Sequence, residues 1–375
     1  MKVFVFGSSI VSSYWNGAAT YYRGIYKQLH ALGHQVTFAE PDAYGRQQKI
    51  DVGDFSYVNS IVYKAEEDLP ALLQSACASD LIIKHSGVGV FDALLESQVL
   101  EYRSEKTKVA FWDVDAPATL ERVERNPQDQ FRRLIPEYDF IFTYGGGPPV
   151  VEHYRALGAA NCHPIYNGLD SETHHPVPAE PALQCDLVFV GHRLPDRERR
   201  VQEFFLRAAE LAPEFQFVLG GEGWAGKAMP KNVRWIGHVG TDDHNRVNCS
   251  ARMVLNINRD SMAGVGFSPP TRVFEAAGAG ACLISDQWTG IKTFFKPGHE
   301  ILVASNAEDV VRYLRDISAG EASQIGHNMR ERALQEHTYQ LRAKQFDEIV
   351  TNAWASENSK HLVVRSNMKE SPLVA

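Results

Sequence analysis

Short apolar runs alternate along the first half of the chain with longer stretches whose apolar residues recur every three or four positions. The runs Lys2–Phe6, Gln35–Ala39, Asp80–Lys84, Lys108–Trp112, Asp139–Thr143 and His163–Tyr166 predict strands. The stretches Ala18–Leu32, Leu69–Ser79, Val90–Tyr102, Thr119–Leu134 and Pro149–Leu157 predict helices. Apolar strands separated by helices belong to a parallel sheet covered on both faces. Asn167-Gly168 is a turn signal, the chain from there to Pro181 is rich in proline and polar residues, and the alternation then starts again. The second round predicts strands at Asp186–Val190, Gln216–Leu219, Val233–Ile236, Arg252–Asn258, Ala281–Ser285 and near Glu300–Val303. Helices are predicted at Glu198–Leu211, Asp242–Ser250, Thr271–Ala279 and Glu308–Ile317, with a helical run from Glu321 to about Ala355. The fold class is α/β, with Rossmann-like domains over 1–168 and 169–337. Residues 356–375 lose apolar periodicity and read as a mobile tail.

At 375 residues the chain is too long for one ordinary core, which agrees with two domains of roughly 150–200 residues. The formal net charge of -8 comes without long Lys/Arg runs, so no broad basic surface for nucleic acid is expected. Five cysteines (Cys77, Cys162, Cys185, Cys249, Cys282) are scattered without a CxxC spacing, against both a disulfide framework and a zinc site. Most read as small buried residues. The opening MKVFVFGSS is too short for the apolar core of a signal peptide, and no run reaches the ~18–20 apolar residues of a membrane span. A soluble cytoplasmic protein is expected.

Parallel sheets bind ligands at the carboxyl ends of their strands, so the loops there carry the candidate chemistry. Gly7–Asn16 lacks the G-x-G-x-x-G spacing of a dinucleotide site. Asn16 and Gly17, with Tyr14, Trp15 and Tyr22, read instead as a cleft wall, and His85 opens the neighbouring strand-end loop. Asp113-Val114-Asp115 has three readings: a metal–diphosphate D-x-D, a general base or hydroxyl-binding group for an acceptor, or a helix-start carboxylate before Pro117. His174 and His175 are adjacent rather than spaced as ligands and read as solvated linker residues. In the second half, Gly191 followed by Arg193, Arg197, Arg199 and Arg200 is either a diphosphate cradle or a solvated basic face. Gly221, Glu222, His238, Asn258 and Arg259 lie at strand ends of the same rim.

The most informative stretch is Ser268–Asp286, SPPTRVFEAAGAGACLISD. Pro269 and Pro270 suit a helix start, whose free N–H groups point at whatever precedes Thr271. Arg272 and Glu275, three apart, share one face. The helix start and the Arg272 guanidinium suit phosphate. Glu275, one turn further in, suits a pair of hydroxyls such as those of a ribose. A surface Arg–Glu pair on an ordinary helix is the alternative.

The order of these motifs resembles a GT-B fold glycosyltransferase, and more narrowly the CgeB-like (spore maturation protein) branch near glycosyltransferase family 4. PIYNGLD with Pro176 beyond it is similar to the interdomain linker of family 4, and DLVFVGHRLPDRERR to its first donor-domain strand and loop. RVFEAAGAGACLISD resembles the donor helix, FFKPGHEILVA the segment after it and EHTYQLRAKQF the terminal helix. The likeness covers most of the C-terminal half and, more loosely, the N-terminal strands.

The resemblance implies two domains facing across a cleft, with residues 338–355 forming a helix that crosses back to the first. It implies a hexosyltransferase-type enzyme using a nucleotide-diphosphate sugar, a UDP-sugar favoured, with no cofactor or metal and an unidentified acceptor. Glu275 corresponds to the second Glu of the family's E-x7-E pattern, which meets the ribose. The first falls at Phe267, so Ser268 or the backbone of 264–268 is expected in its place. No Lys pairs with Arg259, so Arg272 with Arg193 or Arg197 is expected to neutralise the diphosphate. The candidate set is therefore Arg272, Asp113 and Asp115 for catalysis. For the donor it is Gly191, Arg193, Arg197, Gly221, Glu222, His238, Asn258, Arg259, Ser268, Thr271, Arg272 and Glu275; for the acceptor side it is Asn16, Gly17, Tyr22 and His85. The alternatives are a nucleotide-sugar-binding protein without transfer activity and a metal-dependent transferase using Asp113 and Asp115.

Overall fold

The computed structural model describes residues 1–14 and 16–369, with side chains to Ala355. Trp15 and positions 370–375 of the expected tail lie outside the described residues. Seven strands, β1 (Lys2–Phe6), β2 (Gln35–Pro41), β3 (Asn59–Tyr63), β4 (Leu81–His85), β5 (Lys108–Asp113), β6 (Phe140–Thr143) and β7 (Cys162–Pro164), form one sheet. Its order is β3-β2-β1-β4-β5-β6-β7, and every pairing is parallel. Six more, β8 (Cys185–Val190), β9 (Phe217–Gly220), β10 (Val233–Trp235), β11 (Ala251–Asn256), β12 (Leu283–Asp286) and β13 (Leu302–Ala304), form a second parallel sheet ordered β10-β9-β8-β11-β12-β13. In both, strand order reverses beside the first strand, and such a switch point opens a crevice at the strand carboxyl ends.

The inner strands are buried along nearly their whole length, as their apolar runs require. The strand that the pattern missed is β3, whose NSIVY leaves most of its residues accessible at the sheet edge. The expected helix Thr119–Leu134 is two, Ala116–Arg125 and Gln130–Leu134, because Asp129 caps the Phe131 N–H and starts a new turn. The Gly-rich loop expected over Ser261–Phe267 begins as a short helix, Asp260–Val265. Among the described residues no helix is long and apolar enough to cross a membrane. All five thiols are free, and of the five only Cys162 and Cys282 are fully buried.

The run expected from Glu321 to Ala355 is also two helices. Ala319–Glu336 starts on a capping box of Ser318 and Glu321, and Tyr339–Lys369 extends past the expected end. Between them the Leu169 N–H donates to the His337 carbonyl at 2.7 Å and the Tyr339 N–H to the Leu169 carbonyl at 3.1 Å. Leu169 thereby takes backbone groups that an unbroken helix would have used itself. The last helix then lies on the first sheet: Phe346 stacks on Trp112 at 5.1 Å and meets Phe142 at 5.0 Å, with Ala343 and Val350 buried beside it. His174, expected to be solvated, is buried, while its neighbour His175 is exposed.

Gly24 of the helix Ala19–Ala31 lies flush against Tyr339, and a Cβ added there would stand 2.3 Å from the Tyr339 ring. Gly24→Val should lower stability by about 1–3 kcal/mol through overpacking of this joint. Urea unfolding with an unchanged midpoint would show that the joint yields.

Candidate functional site

The carboxyl ends of the second sheet are zipped together by their backbones. The Gly191 N–H donates to the Gly220 carbonyl at 2.9 Å, Gly221 N–H to Gly237 at 2.6 Å, and Arg193 N–H to Glu222 at 2.9 Å. Gly221 has φ +114°, and a Cβ there would lie 2.3 Å from the Gly191 carbonyl oxygen, so both conformation and space demand glycine. A Cβ on Gly191 would meet Arg197 Nη2 and the Phe189 ring, each at 2.9 Å. The absent side chains let the Arg197 guanidinium approach the strand end.

Two guanidiniums meet there, that of Arg197 buried and that of Arg272 partly buried. Arg197 donates to the His192 carbonyl at 2.5 Å, and its Nε has no hydrogen-bond partner among the described residues. Arg272, on the first turn of Thr271–Gly278, donates from Nε to the Val190 carbonyl at 2.7 Å and from Nη1 to Asn256 Oδ1 at 3.1 Å. Both lie over the Phe189 ring, at 5.5 and 5.2 Å from its centroid. Burial, followed by the Arg272 charge, pulls the Arg197 pKa down to about 9. These strand ends are positive and partly shielded from water, a setting in which an anion interacts strongly.

Glu275 follows one turn behind Arg272 and is buried. Burial alone would raise its pKa, but His244, then His174 and Arg272, bring it down to about 2. Its Oε2 is 3.2 Å from His244 Nδ1. Thr271 is half-buried at the helix start, and Glu222 and His238 are exposed on the rim, where the His238 ring stacks on His192 at 6.3 Å and 12°.

Other candidates are held differently. Arg193 is exposed and paired with Glu198 at 2.8 Å, in the manner of a solvated face. Asn258 is buried with its amide on Asp286, which also holds Arg200 at 2.7 Å; burial raises the Asp286 pKa to about 6. Ser268 is buried, donates to the Gly266 carbonyl at 3.0 Å and backs onto Gly145 of the first domain. Arg259 donates to Asp196 at 2.5 Å and reaches across to Asp115 at 3.5 Å, so Asp115 faces the second domain. Asp113 does not share that outlook. It is fully buried and accepts from Ser86 Oγ, the Asp115 N–H, Thr119 Oγ1 and Tyr154 OH at 2.7, 2.9, 3.0 and 2.5 Å. Four donors occupy its carboxylate, so it orients the loop carrying Asp115.

Of the four residues expected on an acceptor side, Gly17 alone is exposed. Asn16 is buried and braces its loop by accepting from Ser8 Oγ and donating to the Ser9 and Ser12 carbonyls. Tyr22 and His85 are buried against each other, with ring centroids 4.4 Å apart, and His85 Nε2 is 2.5 Å from Tyr26 OH. Burial, with the Lys84 charge, drives the His85 pKa well down and keeps the ring neutral. Their spacing along the sequence signals a strand-end loop, and packing claims the side chains.

Residues 197–348 match a family profile described as glycosyl transferase-like. No curated protein sequence matches significantly. Among solved structures, a sucrose-phosphate synthase from Thermosynechococcus elongatus superposes with a TM-score of 0.68 at 14% identity, over 95% of this chain and 100% of that one. HepE of Anabaena in complex with UDP-glucose gives 0.63 at 11%, over 94% and 100%. An alpha-glucosyltransferase in complex with UDP and a 13-mer DNA containing an HMU base gives 0.65 at 10%, over 94% and 99%. The chain has the GT-B fold.

Within this GT-B fold, Gly191, Arg197, Gly221, Arg272 and Glu275 come together at one set of strand ends, with Asp115 and Arg259 bridging to the first domain. Sequence reasoning passed over His244, since a lone histidine in an amphipathic helix carries no signal of its own. The hydrogen bonding of Asp113 gives a stability expectation. Asp113→Asn turns an acceptor of four donors partly into a donor and should cost about 1–3 kcal/mol. Chemical denaturation of the variant at wild-type stability would show the network to be dispensable.

Proposed function

We propose that this protein is a glycosyltransferase that takes a nucleotide-diphosphate sugar, a UDP-sugar first among candidates, and passes the sugar to an acceptor held on the first domain. The observation that carries the proposal is the buried Glu275 one helical turn behind the partly buried Arg272, both at the strand ends where Gly191 and Gly221 open the backbone. The matched profile and the UDP-bound structures of the same fold support it. On the motifs quoted above, we assign the chain to the CgeB-like branch and to hexosyltransferase-type chemistry.

In this reading the bond between the anomeric carbon and the diphosphate oxygen breaks, and negative charge grows on the departing oxygen. Arg272 and Arg197 are already desolvated and fixed by protein carbonyls, so they stabilise that charge without reorganising. Glu275 accepts from the ribose hydroxyls. Asp115 is the acceptor-side carboxylate that faces the second domain, and Asp113 sets its position. The proposed chemistry requires no metal, since the guanidiniums and the helix start supply the positive charge. The proposed compartment is the cytoplasm, where five unpaired thiols are stable. A net charge of -8 argues against a nucleic-acid acceptor.

Arg272→Ala should lower turnover about 100-fold or more, since a charge-assisted contact of ~3 kcal/mol made mainly in the transition state is removed. Turnover at the wild-type rate in the folded variant would take Arg272 out of the mechanism. Donor turnover should persist in chelator; its loss there would favour the metal-dependent alternative, and no turnover under any condition would favour a pure binder. Glu275→Gln should weaken nucleotide binding, and the 2′-deoxy nucleotide should lose less than the ribonucleotide, because each hydroxyl bond to the carboxylate is worth ~1.5–3 kcal/mol. Equal losses for the two would separate Glu275 from the 2′-hydroxyl.

A further inference from the structure

His244, on the helix Thr241–Ser250, links two parts of the proposed donor site. Its Nδ1 is 3.2 Å from Glu275 Oε2, and the backbone of Val239, in the loop that follows β10, favours its protonated form. The buried His174 ring lies along it, 6.2 Å away at 27°. A neutral imidazole has a single N–H and serves one acceptor, whereas an imidazolium serves two. The charged and titratable groups facing the ring are Glu275 and Arg272, from the Thr271–Gly278 helix, and His174, from the linker. Burial and Arg272 oppose protonation of His244. Glu275 and the Val239 contact favour it, and they prevail, so the pKa is raised. His174 is held below its ordinary range by burial and stays neutral.

We infer that His244 is a positioning residue of the donor site. As an imidazolium it holds one oxygen of Glu275 and ties the loop 237–240 to the Thr271–Gly278 helix, so the other carboxylate oxygen meets the ribose in a fixed orientation. The inference rests on the donor reading above. Its consequence has a definite sign. When pH rises through the His244 pKa the ring loses one N–H, one of the two ties must be released, and nucleotide affinity falls.

The test is calorimetric binding of UDP, ADP and GDP, each with its 2′-deoxy form, from about pH 6 to about pH 9, a range that spans a raised histidine pKa. For the nucleotide that the unmodified protein prefers, His244→Ala should weaken binding roughly 10-fold, in line with the loss of one charge-assisted hydrogen bond. Its kcat at saturating donor should change by less than about 3-fold, its preference for ribose over 2′-deoxyribose should shrink, and the fall of affinity with pH should flatten. His244→Gln, which keeps a donor for Glu275, should recover part of the affinity but not the pH dependence. A folded His244→Ala with wild-type affinity and ribose preference overturns the inference. If that variant does not fold, a folded His244→Gln that keeps the wild-type pH dependence overturns it instead. Should Glu275→Gln lose affinity while His244→Ala does not, only the positioning role fails. If the unmodified protein binds none of these nucleotides, the donor reading fails with it.

Discussion

The geometry of this protein hangs on the place where the chain crosses between its two sheets for the second time. The outgoing strand Asn167-Gly168-Leu169 and the returning His337-Thr338-Tyr339 are hydrogen-bonded to each other through Leu169. A Cβ on Gly168 would stand 2.9 Å from the Tyr339 nitrogen, so the contact exists only because residue 168 is glycine. Beneath it Arg342 reaches the Asn167 and Glu336 carbonyls and, at 2.9 Å, His337 Nδ1. The other ring nitrogen of His337 faces the Phe294 carbonyl at 2.9 Å. A ring that accepts from an arginine on one side and donates to a carbonyl on the other must be the neutral Nε2–H tautomer. Burial, followed by the Arg342 charge, draws the His337 pKa down to about 4.

The crossing also holds the helix that bears Arg272 and Glu275. Asn167 Nδ2 donates to the Pro269 carbonyl at 2.9 Å, immediately before the Thr271–Gly278 helix, and at that helix's other end Leu169 and His174 crowd Gly278. The helix bearing Arg272 and Glu275 is thus clamped at its start and its end by linker residues. On the opposite side of the loop the Gly146 N–H donates to the Phe267 carbonyl at 3.0 Å, so the first domain touches the same segment. Phe267 sits at φ +47° between Gly147 and Gly290, either of which would collide with its ring if it bore a side chain.

Much of this was legible in the sequence, and the boundary between legible and hidden has a physical basis. Strands buried on both faces announce themselves by unbroken apolar runs, which is why β1, β4, β5 and β8 were found and the edge strand β3 was not. Arg272 and Glu275 fall on one helix, as their spacing predicts, because helical spacing is local. Arg193 and Arg197 were indistinguishable as letters, and only the fold sends one to solvent and the other beneath Gly191. The same limit explains Asn16, Tyr22 and His85, which stand at strand ends in sequence but spend their polar atoms or rings on the interior. His174 and His244 lie seventy positions apart, and the fold alone brings the linker against the helix Thr241–Ser250.

Two guanidiniums over one phenyl ring also bear on the end of the reaction cycle. Each costs solvation and repels the other, so part of any anion's affinity comes from relieving a strain present before it arrives. On the donor reading, the diphosphate becomes more negative once the sugar has left it. The arrangement that eases departure therefore also holds the product, and on that reading the nucleotide has to leave the hold of Arg197 and Arg272 before another donor can enter.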